Sequence, residues 1–228
     1  MSLESSKIKS MSRNYGLIDP MIKKLCQYVD FDTIKTIYDI GSRDALQSVE
    51  LSVAFPNTSI YAFEPNPDGL VECFKNAAGN SQIKIIPMAV SNIDGEISFF
   101  AQDQSKSRDV NIGVSSMLKL MDQTPCGWHW VQKEIRLQSI TLNTFVKRGN
   151  PPPDLIWIDV QGAELLAFQG ASEILSNVQA IFTEAGKRAY YHGHGMFNEI
   201  NDYLNKFGFK NIMEVPGHEW ESDFLYIK

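Results

Sequence analysis

Residues 36–67 read TIYDIGSRDALQSVELSVAFPNTSIYAFEPNP, and the succession of element types in this stretch decides the fold. Ile37, Tyr38 and Ile40 make a short apolar strand that carries Asp39 and runs into Gly41. From Ala45 to Phe55 the residues Leu46, Val49 and Val53 recur at helical spacing, and Pro56-Asn57 stops that helix. Ile60 to Phe63 begins a second strand with Glu64 at its carboxyl end. Two parallel strands joined by a helix form a right-handed crossover unit, and sheets of such units bind ligands at the carboxyl ends of their strands. Asp39, Gly41 and Glu64 fall at that edge, the outline of a nucleotide-type cofactor site.

The turn after the first strand narrows the cofactor. A dinucleotide fingerprint needs G-x-G-x-x-G, so that backbone amides and a helix N-terminus cradle a pyrophosphate. Gly41-Ser42-Arg43-Asp44-Ala45-Leu46 has one glycine, and Asp39 and Asp44 place negative charge where a pyrophosphate would lie, with only Arg43 to offset it. A ligand with a diol, an ammonium and a positive sulfur suits two acids better. In that reading Glu64 takes both ribose hydroxyls and Asp39 sits near the amino-acid end of S-adenosylmethionine. The alternatives are that Asp44 caps the helix and that Glu64 is a solvated strand end.

With 228 residues, 43% of them hydrophobic, the chain can bury one good core and reads as a single domain over 1–228. A net charge of -6 argues against nucleic acid as the main partner. Cys26, Cys73 and Cys126 are few and far apart, which speaks against a disulfide framework and for a reducing, cytoplasmic compartment. There is no signal peptide and no apolar run long enough for a membrane span. The oligomeric state is open.

Residues 1–18 are polar and irregular, a flexible arm or a lid. Asp19-Pro20 reads as a cap and first-turn proline for a helix with Ile22, Leu25, Cys26 and Val29 on one stripe. Past Glu64, Pro65-Asn66-Pro67 leads into a helix with Leu70, Val71, Phe74, Ala77 and Ala78, ended by Gly79-Asn80. Ile83 to Val90 is a third strand in which Pro87 stops pairing early. Residues 91–153 break the alternation: strands over Glu96 to Phe100 and Lys133 to Leu137 and a helix over Thr141 to Val146 make a β-rich insertion, the expected substrate cover. Asp154 to Val160 is the fourth core strand, Ala163 to Leu175 a helix with a kink at Gly170, and Gln179 to Thr183 a fifth strand ending at Glu184. A helix with Phe197, Ile200, Leu204 and Phe207 on one face follows, then strands over Phe209 to Val215 and Phe224 to Ile227 joined at Pro216-Gly217. The sum is an α/β, Rossmann-like, doubly wound sheet of seven strands with helices on both faces.

DIGSRDA, AFEPNP, MAVSNIDGEISF, WIDVQGAELLAFQGASEIL and FNEINDYLNKFGF together resemble the FkbM family of methyltransferases, from Ile37 to the C-terminus. The resemblance implies a class I S-adenosylmethionine-dependent fold with strand order 3-2-1-4-5-7-6 and the last strand antiparallel. It implies O-methylation of a sugar, glycan or other small hydroxylated molecule. By position, Asp39 and Gly41 match the family's first cofactor motif, Glu64 its ribose-binding acid, and Met88-Ala89 the segment that flanks the adenine. With the turn residues Ser42, Arg43 and Asp44, the loop residues Pro65 and Asn66, and Asp159, these are the cofactor-binding candidates. Two blocks depart from the family pattern: DxGAxxG becomes a turn with Ser42, Asp44 and Ala45, and in K-x-D-x-E-G Trp157 replaces the lysine and Gln161 the glutamate.

A sulfonium methyl is already activated, so the protein must align an oxygen behind it and accept the oxygen's proton. Asp159, ending the fourth strand, is the candidate to orient or deprotonate the acceptor; its alternative is a cap on the Gln161-Gly162 turn. His192, near His194 on the loop after the fifth strand, is a second candidate base, and Glu184 a third participant in substrate or metal binding. Oxygen ligands from Asp159 and Glu184 would suit magnesium; Cys126-x-x-His129 and His192-x-His194 give no recognisable zinc spacing. Glu164 reads as an acid in the first turn of a helix, favoured by its dipole. Trp128, Trp130, Tyr190 and Tyr191 could stack on a sugar ring or pack the insertion onto the core. The overall expectation is an S-adenosylmethionine-dependent O-methyltransferase. Its rivals are a catalytically silent module that keeps the cofactor site and, from another class, a nicotinamide oxidoreductase.

Overall fold

The structure, a computed structural model, describes residues 18–122, 129–217 and 219–228. Segment 1–17 and residues Cys126 and Trp128 lie outside the described residues, as does the side chain of Asp19, so the expected arm and cap do too.

Helix α1 (Ile18–Leu25) precedes β1 (Thr36–Ile40), α2 (Leu46–Ala54), β2 (Ser59–Phe63), α3 (Pro67–Asn76) and β3 (Ile83–Ile86). The insertion holds β4 (Ala89–Val90), β5 (Gly95–Gln102), β6 (Gln132–Ile140) and α4 (Leu142–Lys147). Then come β7 (Leu155–Ile158), α5 (Glu164–Gln169), β8 (Ala180–Gly186), α6 (Phe197–Asn205), β9 (Lys210–Pro216) and β10 (Glu221–Ile227). The main sheet runs β3-β2-β1-β7-β8-β10-β9, which in core-strand count is 3-2-1-4-5-7-6. Its first five strands are parallel and β10 is antiparallel to both neighbours. A second sheet, β4-β6-β5, is built from the insertion.

Period-two alternation divides β1 between two cores. Tyr38 and Ile40 join the layer of Phe63, Phe145, Ile158 and Phe168, whereas Ile37 packs with Leu51, Phe55 and Trp157 on the other face. Buried Asp39 shares the Ile37 face, under helix α2. Among the described residues no helix is long and apolar enough to cross a membrane.

Four expected elements change for local reasons. The third strand stops at Ile86, because Pro87 has no amide to donate and Met88 N–H turns back onto Ile86 O at 2.8 Å; Ala89 and Val90 pair with β6 instead. Helix α3 buries Gly69, Cys73 and Ala77 rather than its larger residues: Val71 and Phe74 are exposed. A Cβ on Gly69 would stand 2.6 Å from Arg43 O and 3.0 Å from Glu64 Cδ, so small residues let the helix close on the strand ends. The helix expected over 163–175 ends at Gln169. The Ser91 backbone crosses there, 2.0 Å from where a Cβ of Gly170 would lie. Strand β8 continues past Glu184 to Gly186 because β10 pairs along it, with Asp223 opposite Glu184.

Candidate functional site

The site starts where β1 ends. Gly41 has φ 86°, and a Cβ there would lie 1.8 Å from Asp159 O, so only glycine lets the turn pass the end of β7. Gly41 and Ser42 N–H both donate to Phe63 O, at 2.9 and 3.0 Å, and Asp159 N–H donates to Ile40 O at 3.0 Å. The three strand ends are thereby tied together. Arg43 and Ala45 take left-handed conformations, φ 54° and 58°, that cost non-glycine residues of order 1 kcal/mol each. In return the Arg43 N–H points at Glu64 Oε2, 2.8 Å away. Asn66 N–H reaches the other oxygen, Oε1, at 2.7 Å.

Glu64 is buried, and burial raises its carboxyl to about 7, against the pull of those two amides. Each of its oxygens has a second lone pair free to accept another donor. It lines an open cleft at the carboxyl ends of β1, β2 and β7. Gly41, Arg43, Pro65, Asn66, Met88, Ala89 and Asp159 also line it. The opposite wall comes from the insertion, with Phe99, Ile112, Gly113, Ser115 and Met117. Asn66 Nδ2 donates to Ser115 Oγ at 3.2 Å and so joins the two walls. An acid that can take a diol, an apolar wall and a second acid on the same cleft are groups that fit S-adenosylmethionine.

The other sequence candidates do not line the cleft. Ser42 is buried and its hydroxyl donates to Asp39 O at 3.0 Å. Asp44 accepts from Leu46 N–H at 3.2 Å and pairs with Arg43 at 3.2 Å, so it acts on the start of α2. Asp39 accepts from the Ser48 hydroxyl through Oδ2, while its buried Oδ1 has no partner. Burial raises the Asp39 carboxyl to about 6. His192 is exposed, whereas His194 is buried, with its ring where Cβ atoms on Gly162 and Gly186 would stand. Burial lowers His194 to about 4, leaving it neutral. Tyr190 and Tyr191 pack with Leu120 and Trp220 under the insertion, with Trp130 against them.

Asp159 and Glu184 are brought together through Gln161, whose Nε2 donates to Asp159 Oδ1 at 2.8 Å and to Glu184 Oε2 at 3.1 Å. Burial raises both carboxyls, and on Glu184 the charges of Asp159, Glu221, Glu164 and Asp223 add to it. The oxygens expected to serve magnesium thus serve an amide, and among the described residues no group of three or more such side chains is arranged for a metal.

Glu164 has a larger part than a first-turn acid. The loop 159–164 turns through Gln161 at φ 54° and Gly162 at φ 91°. Glu164 Oε1 accepts from Val160 N–H at 2.9 Å and Gly162 N–H at 3.3 Å, closing the loop from beneath. Its Oε2 is buried without a partner, so nothing there compensates a charge, and burial raises the carboxyl to about 8. The signal was an acid five residues after Asp159 across a glycine turn. A carboxyl raised from 4.5 to about 8 favours the folded state when protonated, and that stability is lost as pH rises through this window. The melting temperature is expected to fall by about 5 °C between pH 6 and 9. Glu164→Gln keeps the Oε1 acceptor and should make the fall above pH 7 shallower, since Asp39 and Glu64 change at about 6 and 7 while Glu184, also pushed well up by burial, shares that range. Parallel slopes for the two proteins in scanning fluorimetry would refute this.

Comparison with known proteins gives a consistent relationship. The methyltransferase FkbM domain matches residues 39–210. The chain is 26% identical over 177 residues to the 2-O-methyltransferase NoeI of Sinorhizobium fredii, covering 75% of this chain and 71% of that protein. It is 24% identical over 169 residues to the hexuronic acid methyltransferase AglP of Haloferax volcanii, covering 72% of this chain and 60% of that one. Among solved structures, methyltransferase FkbM from Methylobacillus flagellatus KT superposes with a TM-score of 0.55 at 13% identity, over 86% of this chain and 44% of that one.

Proposed function

Because the chain belongs to the FkbM family of methyltransferases, we propose that it transfers a methyl group from S-adenosylmethionine to a hydroxyl of a sugar, glycan or other small molecule. The observation that carries this is Glu64: a buried carboxylate at the end of β2, held by two backbone amides, each oxygen keeping a lone pair on the cleft. A ribose diol supplies the two donors such a carboxylate lacks. Met88 and Phe99 offer apolar surface to an adenine, and Asp159 lines the same cleft. The names of NoeI and AglP, a 2-O-methyltransferase and a hexuronic acid methyltransferase, support an oxygen acceptor on a sugar.

When bound, S-adenosylmethionine supplies a methyl group on an already activated sulfonium. The chain contributes position, exclusion of water and a proton acceptor. Glu64, with Gly41 and Arg43 of the first turn, would hold the nucleoside, and the insertion wall joined through Asn66 and Ser115 would cover it. Asp159 would accept the proton of the acceptor hydroxyl, whose oxygen would take the methyl group that the sulfonium supplies. The products are a methyl ether, neutral S-adenosylhomocysteine and a protonated Asp159 that returns its proton to water. A base in this position contributes about 10²–10⁴-fold.

The test is calorimetric titration with S-adenosylhomocysteine and, separately, NAD, followed by turnover on a panel of methyl glycosides. Micromolar S-adenosylhomocysteine binding with methyl-ether formation on a glycoside is the expected result. Binding without turnover on any hydroxylated sugar would favour the silent module. Tight NAD binding with no affinity for S-adenosylhomocysteine would overturn the reading.

A further inference from the structure

Gln161 occupies the centre of the polar end of the cleft, and each of its groups is engaged. Its backbone turns at φ 54°, and its carbonyl accepts from the Ser116 hydroxyl at 2.9 Å. Its side-chain Nε2 spans Asp159 Oδ1 and Glu184 Oε2, and its Oε1 lies 3.3 Å from the Tyr191 hydroxyl. The Tyr191 hydroxyl is also 2.9 Å from Val114 O, so insertion, loop and strand β8 meet on this one amide. Two neighbouring carboxylates both require a donor, and an amide nitrogen is a neutral group with two hydrogens to give.

We propose that Gln161 is a positioning residue for methyl transfer: its amide clasps Asp159 and Glu184 together, fixes the orientation of the Asp159 carboxylate on the cleft and keeps that carboxylate ionised without a third charge. This rests on the reading of Asp159 as proton acceptor. The surroundings explain why the clasp matters. Asp159 is faced by Glu184 from β8, Glu164 from α5 and Asp39 from β1, with Glu221 and Asp223 of β10 behind Glu184. The Arg43 charge acts on it from the opposite side of the cleft, and Tyr191 and His194 are neutral neighbours on the loop after β8. In such company an unbridged Asp159 would hold its proton and rotate away from Glu184; a bridged one accepts a proton in a fixed direction.

Gln161→Met and Gln161→Leu keep an uncharged side chain of similar bulk at this position and remove its donor. Carboxyl-carbon NMR of the full chain, with Asp159 assigned through Asp159→Asn, reads the Asp159 midpoint without any acceptor. That midpoint should rise by about one pH unit or more in both variants, tenfold in ionisation constant. A midpoint unmoved within about 0.3 unit in the folded variants overturns the proposal, because a merely structural glutamine would leave it there. Should Gln161→Met fail to fold, Gln161→Leu still decides. Calorimetry with S-adenosylhomocysteine on the wild type runs beside it: absent binding would sink the methyltransferase reading whatever the NMR shows, whereas binding with an unmoved midpoint sinks only the role of Gln161.

Discussion

Glu64→Ala is expected to lower the affinity for S-adenosylhomocysteine at least ~100-fold. Two hydrogen bonds from ribose hydroxyls to a charged acceptor in a buried setting are worth about 1.5–3 kcal/mol each, and about 2.7 kcal/mol already corresponds to 100-fold. Alanine also leaves the Arg43 and Asn66 amides without their acceptor. That costs about 1–3 kcal/mol of stability, offset in part because the variant no longer buries a carboxyl raised to about 7. The same carboxyl makes binding pH-dependent. Hydroxyl donors favour its ionised form, so the complex has a lower Glu64 midpoint than the free protein. Affinity should therefore be level above pH 7 and weaken below it, by at most about tenfold per unit. Calorimetry at pH 5.5, 7 and 8.5 reads both effects. Equal affinity across that range, or a Glu64→Ala value within threefold of wild type, would count against Glu64 as the ribose acid.

Asp159→Asn is expected to cut methyl transfer by about 10²–10⁴-fold while leaving S-adenosylhomocysteine affinity within about threefold. The carboxamide keeps an oxygen for the Gln161 amide, and the Asp159 backbone contacts beside Ile40 and Gly41 do not involve the side chain. What is lost is the ability to accept a proton. The variant should thus separate binding from turnover, with unchanged calorimetry and a depressed rate on any glycoside that the wild type methylates. A rate within tenfold of wild type would move the base elsewhere, and Glu184 would be the next carboxylate to replace.

The strand-end wall of the cleft was legible in the chain, for reasons that are local. A single glycine between an apolar strand and a helix marks the first turn, and an acid directly after SIYAF marks the second strand end; Gly41, Glu64, Asn66 and Met88 all line the cleft. Other positions were misplaced because their environment is set from a distance. Asp44 and Ser42 belong to the same turn, yet their side chains serve helix α2 and the Asp39 carbonyl. His192 and His194 are two residues apart and look alike in sequence, but only His194 meets the gap beside Gly162 and Gly186. Phe99, Ile112 and Met117 gave no signal at all, since an apolar residue in an insertion reads the same whether it faces a ligand or a core.

The sequence by itself determined the crossover units, the seven-strand order through its family pattern, and which strand ends carry acids. Those properties follow from apolar periodicity, glycine and proline placement and residues within about ten positions of each other. Only the tertiary structure decided that Asn66 meets Ser115, 49 positions on, and that Gln161 reaches Glu184 across 23 positions. It also decided that Glu184 faces Asp223 within the sheet. Such meetings depend on strand register and on how the insertion folds back over the sheet. Both are settled by packing of the whole core, because a shift of one residue in register turns every side chain of a strand to its other face.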